Sequence, residues 1–367
     1  MRDGVRQVGQ RFMIGFDGLA VSADARRLIR DFGVGSVILF KRNVDSPEQV
    51  ADLVRELQSV ARDACHDLPL LVAVDQEGGR VARLREPWTV WPPMRALGRL
   101  GSEEHARRVG EALAIELKAC GIRLDFAPVV DVDTNPKNPV IGDRSFGDDP
   151  ELVGRMGAAL IAGLQNAGVA ACAKHFPGHG DTDVDSHLDL PAVDHPQGRL
   201  EDVELRPFRR AIEARVATIM TAHVLVRELD DKLPATLSPV ILQGLLREKL
   251  GYAGVIVSDD LEMKAVAKHW APGEAAVLAA QAGCDILPVC ITHDAQVLAM
   301  EALVRAQEAG EIPFARSDDA RARVRRLKQA YLLPWQDPDP RRARLAAGAG
   351  ERVALAQELA TRAGISA

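Results

Sequence analysis

The sequence of 367 residues predicts an α/β protein built as one (β/α)8 TIM-type barrel. Three observations carry that reading. Eight short apolar runs alternate with longer amphipathic segments, several of those segments end at glycine, and titratable residues collect where the runs end rather than where they start.

Taken in order, the strand candidates are R-F-M-I-G-F at 11–16 and S-V-I-L-F at 36–40, followed by L-L-V-A-V-D at 70–75 and I-R-L-D-F-A-P at 122–128. The second half supplies V-A-A-C-A-K-H at 169–175, A-T-I-M-T-A-H at 217–223, G-V-I-V-S-D at 254–259 and D-I-L-P-V at 285–289. Ser46-Pro-Glu-Gln49 opens a helix with a capping hydroxyl, proline at the first helical position and Gln at the third. Ser102 stands before Glu103 and Glu104 in the same way, and Gly121 closes that segment. Further helical patterns run over about 149–168, 199–215, 238–251, 271–282 and 292–310. Gly168, Gly251, Gly283 and Gly310 stand where left-handed C-caps are needed. A doubly wound open sheet is the alternative, because periodicity does not show whether a sheet closes. The prolines after Pro334 read as a linker, and 352–364 as a short helix. The expected organisation is therefore a catalytic barrel over 1–334 with a peripheral tail over 335–367.

Lys plus Arg number 46 against 52 Asp plus Glu, a formal charge of −6, which leaves no electrostatic footprint for nucleic acid. The arginine-rich stretch from Arg316 to Lys328 reads as the solvated face of a helix. No run is long and apolar enough for a signal peptide or a membrane span, so a soluble, cytoplasmic monomer is expected. Five widely spaced cysteines without a C-x-x-C pair read as reduced core residues.

The chemistry concentrates in K-H-F-P-G-H-G-D-T-D-V-D-S-H, from Lys174 to His187, which places three histidines, three aspartates and a lysine in fourteen residues. Asp181, Asp183 and Asp185 alternate like a calcium loop, but Ser186 stands where glycine is needed and Ala192 where glutamate is needed. No H-E-x-x-H supports zinc. In an extended segment Asp185 and His187 share a side, so the carboxylate can fix the imidazole as a proton donor and acceptor, while Gly178 and Gly180 let the loop move. The partner at the reacting atom is sought in V-S-D-D, where Asp259 and Asp260 face opposite ways and spacing alone does not choose between them. Structural roles compete elsewhere: His223 could satisfy buried backbone groups, His179 and Asp181 could shape the loop, Asp131 and Asp133 could cap a turn, and Trp88 and Trp91 read as packing.

The K-H-F-P-G-H-G-D-T and D-S-H motifs, with V-S-D-D-L-E-M downstream, D-Q-E-G-G-R-V at Asp75–Val81, Arg83, and V-I-G-D-R-S-F at Val140–Phe146, resemble the signature of glycoside hydrolase family 3. The likeness is to its single-domain, NagZ-type β-N-acetylglucosaminidases. The resemblance spans about residues 10–330 and implies a barrel without metal or other cofactor. It implies Asp259 as nucleophile, His187 as acid/base oriented by Asp185, and Asp75, Arg83, Arg144, Lys174 and His175 as ligands of a terminal N-acetylglucosamine. The implied substrates are N-acetylglucosaminyl-1,6-anhydro-N-acetylmuramic acid and its peptide-bearing forms from cell-wall turnover. A phosphorylase of the same family and a non-catalytic sugar-binding protein are the rivals.

Overall fold

The computed structural model describes residues 2–186 and 188–365, so His187 lies outside the described residues. Eight parallel strands form its centre: β1 (Phe12–Ile14), β2 (Ser36–Leu39), β3 (Leu71–Val74), β4 (Leu124–Asp125), β5 (Ala170–Phe176), β6 (Thr218–Thr221), β7 (Val255–Val257) and β8 (Leu287–Val289). Each pairs with its sequence neighbours, and β1 pairs with β8. The last seam, between β7 and β8, is closed by a parallel bridge from Val257 to Ile286 and by Ser258 N donating to the Ile286 carbonyl at 3.0 Å. The sheet is thus a barrel, and the open-sheet alternative falls.

Every strand follows the period of two that a sheet imposes. Met13, Ile38, Leu71, Ala73, Leu124, Cys172, Met220 and Val257 fill the barrel, while their neighbours Phe12, Ile14, Val37, Val72 and Ala173 pack outward under the helices. That outer layer comprises α1 (Ala23–Arg27, continued by Leu28–Phe32), α2 (Pro47–Asp63), α3 (Glu103–Ala119), α4 (Pro150–Asn166), α5 (Leu205–Glu213), α6 (Val240–Lys249), α7 (Pro272–Ala282) and α8 (His293–Glu308). The predicted caps form. Ser46 and Ser102 hydroxyls accept from the amides of Gln49 and His105, and Gly168, Gly251, Gly283 and Gly310 all take positive φ.

Helix α9 (Phe314–Leu332) crosses the N-terminal end of the barrel and plugs it with Val324, Leu327 and Leu332. This corrects the expectation of a solvated arginine face. Arg325 and Arg326 do meet solvent, but Arg316 and Arg323 turn inward to the fully buried Asp285 at 3.3 and 3.5 Å, joined there by Arg247 at 2.6 Å. Lys328 is buried outright. A buried carboxylate attracts such partners because it cannot be left alone in a low-dielectric interior. Cys65 is likewise exposed rather than a core residue, whereas the other four cysteines are buried thiols. No helix among the described residues is long and apolar enough to cross a membrane.

Beyond Pro334 the chain forms two helices, α10 (Pro340–Ala346) against α2 and α11 (Gly350–Ala363) against the short helix Arg95–Leu100. Leu355 and Leu359 are buried at the second contact. Between them the buried carboxylate of Glu116 on α3 accepts from Gly348 N and Thr89 Oγ1, both at 2.8 Å, with Arg352 Nε at 3.5 Å.

Candidate active site

A cavity of about 470 Å3 opens at the C-terminal ends of the strands, where a barrel places its chemistry. The inward period of β5 runs from Ala170 through Cys172 to Lys174, so the first charged residue of the strand emerges under the cavity floor. A register shift between Ala173 and Phe176 lets His175 face the cavity as well.

Beside Lys174 stands a chain of alternating charges. Its ammonium donates to Asp75 at 3.0 Å and lies 2.6 Å from Glu77, Arg83 meets Asp75 at 3.0 Å, and Arg144 holds Glu77 with two bonds of 2.8 Å. Burial by itself favours neutral Glu77, but Arg144 and Lys174 outweigh it and hold the carboxyl far below the ordinary range. Asp75 is lowered in the same way, burial again being outweighed by Lys174 and Arg83. The same carboxylates raise Lys174 and Arg144 against the pull of burial. Asp75, Glu77, Lys174 and Arg144 are therefore held in their ionised forms at neutral pH.

Asp131 is a hub. Its buried carboxylate accepts from His175 N at 3.1 Å, His179 N at 2.8 Å and His175 Nδ1 at 2.7 Å, which fixes the start of the loop that leaves β5. Burial and the neighbouring His175 lower the His179 imidazole to about 4, although Asp131 pulls the other way. Neutral His179 then joins Thr182 Oγ1 at 2.7 Å to Ser186 Oγ at 3.1 Å. Asp181 is held by Thr134, Arg199 and His195. His179 and Asp181 thus shape the loop. Gly180 has a steric task beyond the flexibility read from sequence, since a Cβ there would lie 1.8 Å from the Val132 carbonyl oxygen. Ser186, immediately before His187, lines the cavity, and the main-chain carbonyl of Asp185 accepts from Leu188 N and Asp189 N.

On the opposite wall, both aspartates after β7 line the cavity with different hydrogen-bond partners. Asp260 Oδ1 accepts from Glu262 N at 3.1 Å and Cys290 N at 3.2 Å, and burial pushes its carboxyl up to about 7. Asp259 accepts from Asp260 N through Oδ1 at 2.8 Å. Both ring nitrogens of His223 are engaged, by Thr236 Oγ1 and the Asp260 carbonyl, so it satisfies buried groups. Trp88 and Trp91 are buried in the outer core.

Of the residues named from sequence, Asp75, Arg83, Arg144, Lys174, His175 and Asp259 meet in this one cavity, with Asp185 on the loop beside it. The sequence reading passed over Glu77 and, for Asp131 at the end of its strand, weighed turn capping rather than a role as a hub. Glu77 sits inside D-Q-E-G-G-R-V, and an acid two residues after Asp75 was the signal available.

The buried imidazole and the depressed carboxylates have one sign. Each binds protons less readily folded than unfolded, so the stability they contribute is present above the unfolded values and is lost as pH falls. Loss is expected to begin as pH falls through 6.5 toward 4 for His179, worth about 3 kcal/mol by its shift, and to continue below 4.5 for Glu77. Denaturant unfolding between pH 7 and 4 checks this, and His179→Gln should flatten the upper part of the curve.

A family model described as the glycosyl hydrolase family 3 N-terminal domain matches residues 4–327. A β-hexosaminidase of Thiobacillus denitrificans is 43% identical over 284 residues, covering 76% of this chain and 77% of its own. Among solved structures, a glycoside hydrolase family 3 β-N-acetylglucosaminidase from a Paenibacillus species superposes with a TM-score of 0.91 at 44% identity, covering 98% of this chain and 68% of that one. NagZ from Neisseria gonorrhoeae, in complex with N-trifluoroacetyl-D-glucosamine, gives a TM-score of 0.78 at 33% identity over 96% of this chain and 98% of its own.

Proposed function

Because the chain belongs to glycosyl hydrolase family 3, we propose that it is a retaining exo-β-N-acetylglucosaminidase acting through a glycosyl-aspartate at Asp259. One observation carries the choice of nucleophile. Of the five carboxylates lining the cavity, Asp75 and Glu77 are held by cations, Glu262 by the amides of Ile291 and Thr292, and Asp260 by two backbone amides. Asp259 uses only Oδ1, toward its neighbour's amide, among the described residues.

In this reading the sugar's hydroxyls are bound by Asp75, Arg83, Arg144, Lys174 and His175, whose fixed hydrogen-bonding groups discriminate against a sugar lacking a matching hydroxyl. Asp259 attacks the anomeric carbon as His187, oriented by Asp185, gives its proton to the departing oxygen. Water then takes the sugar from Asp259 while His187 reclaims a proton, restoring both groups. A cytoplasmic role on N-acetylglucosaminyl-1,6-anhydro-N-acetylmuramic acid and its peptides is the natural setting proposed. The barrel, residues 1–334, is the catalytic unit.

The test is hydrolysis of aryl β-N-acetylglucosaminides of graded leaving-group ability. The chain should release N-acetylglucosamine of retained configuration, and His187→Ala should slow poor leaving groups by about 10²-fold or more while sparing good ones. Equal losses across the series would remove His187 from the acid's role. Sugar-1-phosphate formed in phosphate buffer would identify a phosphorylase instead, and no turnover of any glycoside would leave only a sugar-binding protein.

A further inference from the structure

A second cavity, of about 500 Å3, lies at the opposite end of the barrel, between the N-terminal helix Arg2–Gly9, the segment before β3, and α9. Its floor is Lys328, only 1% exposed. The ammonium donates to Gln10 Oε1 at 3.2 Å and to the Gly35 carbonyl at 3.1 Å, which are neutral acceptors. No carboxylate side chain among residues 4–186 and 188–365 lies within ion-pair distance of it, and the two acceptors take two of the three ammonium protons.

The surroundings are set for a charge that comes from outside. Gln10 is locked with its oxygen toward Lys328, because its amide nitrogen donates to the Gly33 carbonyl at 2.6 Å and lies 3.4 Å from His66 Nδ1. His66 is kept neutral by burial, its Nε2 meeting the Ile29 carbonyl at 3.0 Å. Arg321 is paired with Asp318 and donates to Gln7, and Arg325 reaches the exposed Asp67 at 3.4 Å. Burial, with Arg325 adding to it, pulls Lys328 down to about 7. A side chain that only braced the strands would be better served by an apolar isostere, since a buried cation lacking a counter-ion is costly.

We propose that this cavity binds a small molecule carrying a compact oxyanion, a phosphate or carboxylate group, with Lys328 as the counter-charge at the floor and Arg321 and Arg325 at the wall. The site is separate from the catalytic cavity, since Gln10 and Gly35 precede β1 and β2 while catalytic groups follow their strands. Cys65 lines its wall and is the one exposed thiol of the five, so occupancy is readable without an activity assay.

The experiment titrates the full chain with inorganic phosphate and, separately, with acetate, at ionic strength held constant by sodium chloride. It follows heat of binding and the rate of Cys65 modification by an aromatic disulfide. Saturable binding that slows Cys65 modification is expected from at least one anion, and the stronger of the two identifies phosphate or carboxylate as the group recognised. Lys328→Met should weaken that binding about tenfold or more, and the surface change Arg325→Ala should weaken it severalfold. Loss in either variant supports the site, so a poorly folding Lys328→Met leaves Arg325→Ala to decide. Wild-type affinity in both variants, or no saturable binding and no protection of Cys65 by either anion, would overturn it and leave Lys328 as a brace between α9 and the barrel.

Discussion

Asp259→Asn is expected to lower turnover of an aryl β-N-acetylglucosaminide by on the order of 10⁴-fold, with the fold unchanged by circular dichroism. The substitution keeps shape and the acceptor for Asp260 N but removes the carboxylate proposed to form the covalent bond. Asp260→Asn is the matched control. Burial already favours the neutral form of Asp260 up to about pH 7, and an amide oxygen can still accept from Glu262 N and Cys290 N. Its turnover should stay within about tenfold of wild type at pH 6, because no bonding partner is lost. Because the folded value is raised, any stabilisation from protonated Asp260 is present below its unfolded value and is lost as pH rises through about 7. The Asn variant should therefore lose less stability than wild type between pH 6 and 8. If the two variants exchange their kinetic behaviour, the nucleophile is Asp260.

Glu77→Gln is expected to produce the second large effect, a loss of about 3–5 kcal/mol in unfolding free energy, measured in urea. The charge removed is the shared partner of Lys174 and Arg144, which would then stand as adjacent buried cations with Asp75 alone between them. Activity should fall with it, since Arg144 takes its direction from two bonds to Glu77. The double variant Glu77→Gln/Arg144→Met separates the effects. It should recover part of the stability, by removing the orphaned cation, and none of the activity. Recovery of both would mean that Arg144 serves the fold and not the sugar.

These two residues mark what was legible in the chain. Asp259 could be placed at the cavity because the motif is contiguous and the strand period narrows the choice to two neighbours, between which only the family resemblance chose. Glu77 was not, because its meaning lies in Arg144, 67 residues away, brought alongside by barrel closure. The same holds for Asp131, which resembles a turn cap until the loop after β5 folds back onto it, 44 residues later in the chain. All eight strands were readable from apolar runs, since each has neighbours on both sides and two faces to bury. The arginines of α9 misled for a related reason: local spacing reports which residues share a helix face, and the buried acid at Asp285 that turns two of them inward belongs to another element. The Gln76–Gly78 and Val81–Ala82 hairpin escaped notice as well, being too short for an alternating pattern.

That hairpin couples the segment after Pro334 to the wall of the cavity. Gly348 presses so closely on Pro87 that a Cβ would lie 2.3 Å from its carbonyl oxygen, and Glu116 ties Gly348 to Thr89. Two residues on, the Trp91 carbonyl accepts from Gly79 N, directly after the segment bearing Glu77. The segment around Gly348 thus braces the cavity wall that bears Glu77. If the cavity binds the sugar as proposed, a fusion or deletion beyond Pro334 should act on it at a distance, with a raised KM rather than mere fragility as its signature.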